Sequence, residues 1–179
     1  MGGEVNVKKR MLLSIVLGLA VLAAGSLAAQ DKKQVDPVNW RELVPFLIDL
    51  AGYEAEEPDG ATMTMSTFKM SQASRNYQKG DLSVDIQIVD GGFFPEAYAS
   101  YKALESFEID TSDQLTRKVT IQGFPGIENI DRENKNATLM LLVSDRFLVT
   151  VLGQPFSDSA GLKDIAGRLD LKKLASLGK

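Results

Sequence analysis

Residues 82–89 read LSVDIQIV, in which Leu82, Val84, Ile86 and Ile88 alternate strictly with Ser83, Asp85 and Gln87. Successive side chains of an extended chain point to opposite faces, so a period of two describes a strand with one buried and one polar face. Lys79-Gly80-Asp81 supplies a turn before it, and residues 73–77 are its antiparallel partner in a hairpin. Gly91-Gly92 breaks the pattern on the far side.

Beyond that break, Pro95 suits the first position of a helix in which Ala97, Tyr98, Tyr101, Leu104 and Phe107 recur at helical spacing. A polar connector follows at residues 108–114. Residues 117–122, 127–132, 137–143 and 147–152 are then four strand candidates in quick succession. Their connectors, GFPG (123–126), ENKN (133–136) and SDR (144–146), are short and rich in turn formers, which predicts an antiparallel meander. The runs LMLLV at 139–143 and FLVTVL at 147–152 predict burial on both faces, hence helices on both sides of the sheet centre. Leu162, Ile165, Ala166 and Leu169 define a further helix with Ser157 or Ser159 as its cap, and Asp170 caps a last segment carrying Leu171, Leu174 and Leu177.

Toward the N-terminus, Asn39 caps a helix of Trp40, Leu43, Val44, Leu47 and Ile48, which Pro45 kinks and Gly52 ends. The stretch EAEEPDG at 54–60 predicts a turn near Asp59. In residues 61–77, Met63, Met65, Phe68 and Met70 keep neither period, so a strand is read only in the second half. Together these elements define a single α/β (α+β) domain over residues 39–179, a mainly antiparallel sheet of five to seven strands covered by helices.

This element order resembles the secreted PsbP-like fold proteins over about residues 50–170, on the strand at 82–89, the GFPG turn at 123–126 and the paired runs at 139–143 and 147–152. The resemblance implies a small extracytoplasmic domain that acts by binding other macromolecules.

The N-terminus points to the same compartment. Lys8, Lys9 and Arg10 precede an uncharged run from Met11 to Ala24, and small residues follow at Gly25, Ser26, Ala28 and Ala29. Residues 1–29 therefore read as a signal peptide cut after Ala28 or Ala29, or as an N-terminal anchor; either leaves the folded part extracytoplasmic, periplasmic or secreted. Residues 30–38 read as a polar tether. Losing Lys8, Lys9, Arg10 and Glu4 takes the formal net charge from −4 to −6, which repels phosphate backbones and argues against a nucleic-acid partner.

Of the 179 residues none is cysteine or histidine. This excludes disulfide frameworks, thiolate nucleophiles, Ser-His-Asp triads and imidazole bases. The acidic group Glu105, Glu108, Asp110 and Asp113 lacks the spacing of a calcium loop, and Asp81 and Asp85 read as solvated surface charge. Gly91-Gly92-Phe93-Phe94 lacks the residues of a phosphate loop, and Arg75, Arg117, Arg132 and Arg146 read as exposed strand arginines. No catalytic, cofactor-binding or metal-binding residue is assigned, and no cofactor is expected. Trp40, Tyr53, Phe93, Phe94 and Phe124 form a possible binding surface. The expected role is an exported non-enzymatic binding or accessory domain of the periplasm or cell envelope, with an unidentified protein or small-molecule partner. The alternatives are a carboxylate-dependent hydrolase and a membrane-anchored component of an envelope complex.

Overall fold

The alternation at residues 82–89 sits near the middle of a broad antiparallel sheet. The computed structural model describes residues 35–66, 68–91 and 98–177, so the signal or anchor segment, the start of the tether, and Phe93 and Phe94 lie outside the described residues. In chain order the elements are helix α1 (Trp40–Leu43) continued by a 3-10 turn (Val44–Phe46), β1 (Glu54–Ala55), β2 (Asp59–Met65), β3 (Phe68–Lys79) and β4 (Leu82–Asp90). Helix α2 (Ala99–Glu105), β5 (Ile109–Asp110), β6 (Gln114–Ile121), β7 (Phe124–Asp131), β8 (Asn136–Val143), β9 (Phe147–Gln154), α3 (Ala160–Arg168) and α4 (Leu171–Ser176) follow. Among these residues no helix is long and apolar enough to cross a membrane.

Across the sheet the order is β1-β3-β4-β9-β8-β7-β6-β5, with β2 lying beyond β1 on the same edge of β3. The chain thus builds a hairpin half, crosses to the opposite edge through α2, and returns by a meander until β9 meets β4. The fold is sheet-dominated and mainly antiparallel, with few helices. Among the described residues its nine strands exceed the expected five to seven because β1, β2 and β5 carry no readable period. β1 and β5 are two residues each, and β2 is a largely exposed edge that has no inner face to pattern.

Three local readings are corrected. Asp59-Gly60 makes no turn and instead opens β2; a Cβ on Gly60 would lie 2.5 Å from the Gln72 carbonyl oxygen and 2.6 Å from the Trp40 ring, so the glycine serves a close approach. The GFPG turn is in fact Gln122-Gly123, at φ 52° and 88°, while Phe124, Pro125 and Gly126 already belong to β7. The polar connector at 108–114 contains β5 and the first residue of β6.

One sheet face carries Ala73, Tyr77, Val84, Ile86, Ile88, Leu139, Leu141, Val149 and Val151, packed with Leu43, Phe46 and Leu47 of the N-terminal turns and with Leu162, Ile165, Leu171 and Leu174 of α3 and α4. The other face buries a smaller group, Val89, Ile127, Leu142 and Leu148, with Tyr101 of α2. Ile86 faces inward with no exposed surface, whereas Gln87 is half-buried on the opposite face. Ile86→Asp is therefore expected to lower stability by about 4 kcal/mol or more, and Gln87→Asp by about 0.5 kcal/mol, read from denaturant midpoints. Equal losses would mean that the register is wrong by one residue.

Candidate functional site

The inner face holds charges as well as apolar groups. Asp90 continues the even-numbered row after Ile88 and is fully buried beside Phe147, its partner on β9. Its carboxylate accepts from Arg146 Nε at 3.0 Å and Nη2 at 2.8 Å, and from the Val38 backbone N–H at 2.9 Å. Arg146, only 8% exposed, also donates to the Asp36 carbonyl at 3.1 Å, while the Asp36 carboxylate pairs with Lys69. Next to this pair the Trp40 N–H donates to Thr62 Oγ1 at 2.9 Å, and Thr62 shares a hydrogen bond with the buried Ser71 hydroxyl. Asp36 and Val38, read as tether, are thus fastened to the end of the sheet.

Glu128 of β7 is the second buried carboxylate. It pairs with Arg117 across the β6–β7 ladder and with Lys163 of α3 at 2.6 Å, and it accepts from the Ser159 hydroxyl. Burial raises its pKa, but the hydrogen bonds from Lys163, Ser159 and Arg117 outweigh that and leave it below the usual carboxylate range. Ser159 precedes α3 yet spends its hydroxyl on Glu128; Asp158 accepts from the Ala160 N–H instead. Asp170 does cap α4, accepting from the Lys173 N–H at 3.0 Å. Every buried side-chain polar atom among the described residues has a hydrogen-bond partner.

The second face is different. Its rows run Gln72–Val89–Leu148–Leu142, then Ser74–Gln87–Thr150–Met140–Ile127–Lys118, then Asn76–Asp85–Leu152–Thr138–Asn129–Thr116. Tyr101 of α2 packs on the apolar end, and among the described residues no other helix contributes to this face. Ser74, Asp85, Gln87, Thr138 and Thr150 are half-buried, and among the described residues their side chains make no hydrogen bond to the protein. Leu152 stands 40% exposed among them. The Asp85 pKa is pushed up to about 6, first by burial and then by the charge of Glu56, which corrects the reading of Asp85 as ordinary solvated charge.

The predicted arginines are also engaged. Arg75 donates to Asp49 at 2.7 Å and to the Leu47 and Glu56 carbonyls, and lies over the Tyr77 ring, whose pKa burial raises to about 12. Arg132 pairs with Asp110, and Glu105 with Lys102. Trp40, Tyr53 and Phe124 are half-buried and all pack against the main core, Trp40 over Gly60 of β2 and Phe124 at the start of β7. Phe93 and Phe94 lie outside the described residues. Among the described residues no three acidic side chains come together as a metal site. Asp90 and Glu128 were missed, although each shares the parity of an apolar inner residue, Ile88 or Ile130. Neither family models, curated proteins nor solved structures yield a match to this chain.

Removing one partner of a buried ion pair leaves the other charge uncompensated, so Asp90→Asn is expected to cost about 3 kcal/mol. It should also speed amide hydrogen exchange at Val38. The double variant Asp90→Leu with Arg146→Met should lose less than the sum of its single changes; strict additivity in denaturation would show that the two groups are uncoupled.

Asp85 has the opposite sign. Its folded pKa lies above the unfolded 3.8, so the native state binds more protons between about pH 4 and 6, and its stability falls as pH rises through that window. Asp85→Asn should therefore stabilise by on the order of 1 kcal/mol at pH 7, allowing for partial solvent contact, and have no effect at pH 3.5. Denaturation at the two pH values checks this, and equal effects at both would refute the buried-carboxylate account.

Proposed function

We propose that this chain is an exported, non-catalytic binding or accessory domain that recognises its partner on the polar half of the sheet's second face. The observation that carries this reading is the set of unspent hydrogen-bonding groups on Ser74, Asp85, Gln87, Thr138 and Thr150, ranged around the half-exposed Leu152. Held on strands, such groups keep fixed spacings and lose little freedom on binding, which is what a polar recognition surface needs. The helices matter to this reading through where they pack: α3, α4 and the N-terminal turns lie against the inner face, and among the described residues only α2 lies against this one. The basic and apolar N-terminal segment and the PsbP-like element order favour an extracytoplasmic setting and a macromolecular partner.

A carboxylate-dependent hydrolase is the second reading, favoured by the raised Asp85 pKa and its neighbour Glu56. The two readings separate in one design. A photo-crosslinking residue placed at Gln87 or Thr150 in the producing cells should give a discrete adduct that the exposed turn position Glu133 does not give. The purified chain should not turn over a panel of glycoside, ester, phosphate and peptide substrates. Turnover abolished by Asp85→Asn, or adducts equal at all three positions, would overturn the binding-domain reading.

A further inference from the structure

Residues 63–70 fitted neither a helical nor a strand period, and the register explains why. β4 pairs with β3 only from Ser71 onward, so Phe68–Met70 pair with β2 alone and the β2–β3 hairpin extends past the body of the sheet. Met63 stands directly opposite Met70, and Met65 is two residues further along the same strand. Residues opposite each other in an antiparallel pair share a face with Cβ atoms about 5 Å apart, and the next diagonal position lies about 7–8 Å away. Met70 packs against the second core, which fixes the face; the Thr62–Ser71 hydroxyl contact occupies the other one.

Three thioethers therefore share one face of a two-stranded ribbon. Met63 is 41% and Met65 64% exposed, while Met70 is half-buried at the base. Exposed methionines on an open edge strand are an association and oxidation hazard that a stable surface would replace with charge. Their chemistry offers a use. Methionine sulfur is soft, polarizable and carried on three rotatable bonds, so sulfurs on neighbouring positions can converge on one point. The chain has no cysteine and no histidine, so thioether sulfur is its only soft donor. A set of neutral sulfur ligands suits a soft monovalent cation and does little for zinc, magnesium or calcium.

We infer that Met63, Met65 and Met70 form a binding site for a soft monovalent metal ion, Cu(I) or its redox-stable analogue Ag(I). Thioethers take up no proton in the accessible pH range. The affinity of this site is therefore independent of pH, unlike sites built from imidazole or thiolate, which lose metal on acidification.

The test uses the full-length chain labelled at the methionine methyl carbons and titrated with Ag(I). The methyl signals of Met63, Met65 and Met70 should shift together and saturate at one equivalent, with the same affinity at pH 5 and pH 7, while Met140 stays in place. Cu(I) supplied anaerobically should displace Ag(I), and zinc should not. Met63→Leu with Met65→Leu conserves volume and keeps the hairpin, verified by unchanged backbone spectra, and should weaken binding at least tenfold. Absence of saturable shifts, equal shifts at Met140, a pH-dependent affinity or full retention of binding by the leucine variant would each overturn the assignment.

Discussion

Eight register pairs, from Ser83↔Gln154 to Asp90↔Phe147, join β4 to β9, and the rest of the structure depends on them. β1 to β4 assemble through hairpins, and β5 to β9 through a meander, so each half is local in sequence. Only the β4–β9 seam makes them one sheet. Closing the long loop between its strands costs chain entropy, which the inward row of Val84, Ile86 and Ile88 against Gly153, Val151 and Val149 must offset by burial. At the last rung the Asp90–Arg146 pair bridges groups 56 positions apart and simultaneously ties down Val38 and Asp36. The seam and the N-terminal fastening are thus coupled at one buried ion pair.

Such pairs are poor sources of net stability, because desolvating two charges consumes most of their attraction. Their value here is positional. A slip of one residue would turn Asp90 and Glu128 to the second face, away from Arg146, Arg117 and Lys163. An apolar row alone tolerates some error; an apolar row with a carboxylate at a fixed place penalises it by several kcal/mol. Glu128 extends this to the helices, since α3 contributes both Lys163 and the serine that precedes it.

What was legible in the sequence follows from which elements have two unlike faces. β4 and the α3–α4 pair show clear periods because each divides a core from something else, and β8 and β9 are legible instead as apolar runs bounded by turn formers. β2 was not read because its residues are mostly exposed, and β5 because two residues cannot show a period. Asp59-Gly60 looked like a turn, yet the glycine answers to the Trp40 ring from a different element, which no local pattern reveals. Trp40, Tyr53 and Phe124 pack at the rim of the main core, a placement that their chemistry alone does not reveal. The buried carboxylates were recoverable: the period of two that buries Ile88 also carries Asp90 inward.

The second face carries a signal that only the assembled register makes visible. Along β4 its residues pass from Val89 to Gln87 to Asp85, along β8 from Leu142 and Met140 to Thr138, and along β7 from Ile127 to Asn129. Adjacent strands run in opposite directions, so these transitions occur toward the N-terminus in β4 and β8 and toward the C-terminus in β7. No trend in local composition aligns them. They fall on one slanting boundary because the sheet has a single apolar end, where α2 packs, and a single polar end beyond it. Charge stands freely in the β7–β8 turn, with Arg132 and Glu133, and on this face at the β6 margin, with Lys118 opposite Ile127. Between those margins, across β3, β4, β9 and β8, the polar part carries Ser74, Gln87, Thr138 and Thr150 with the single carboxylate of Asp85 and with Leu152, a composition less costly to desolvate than a charged one.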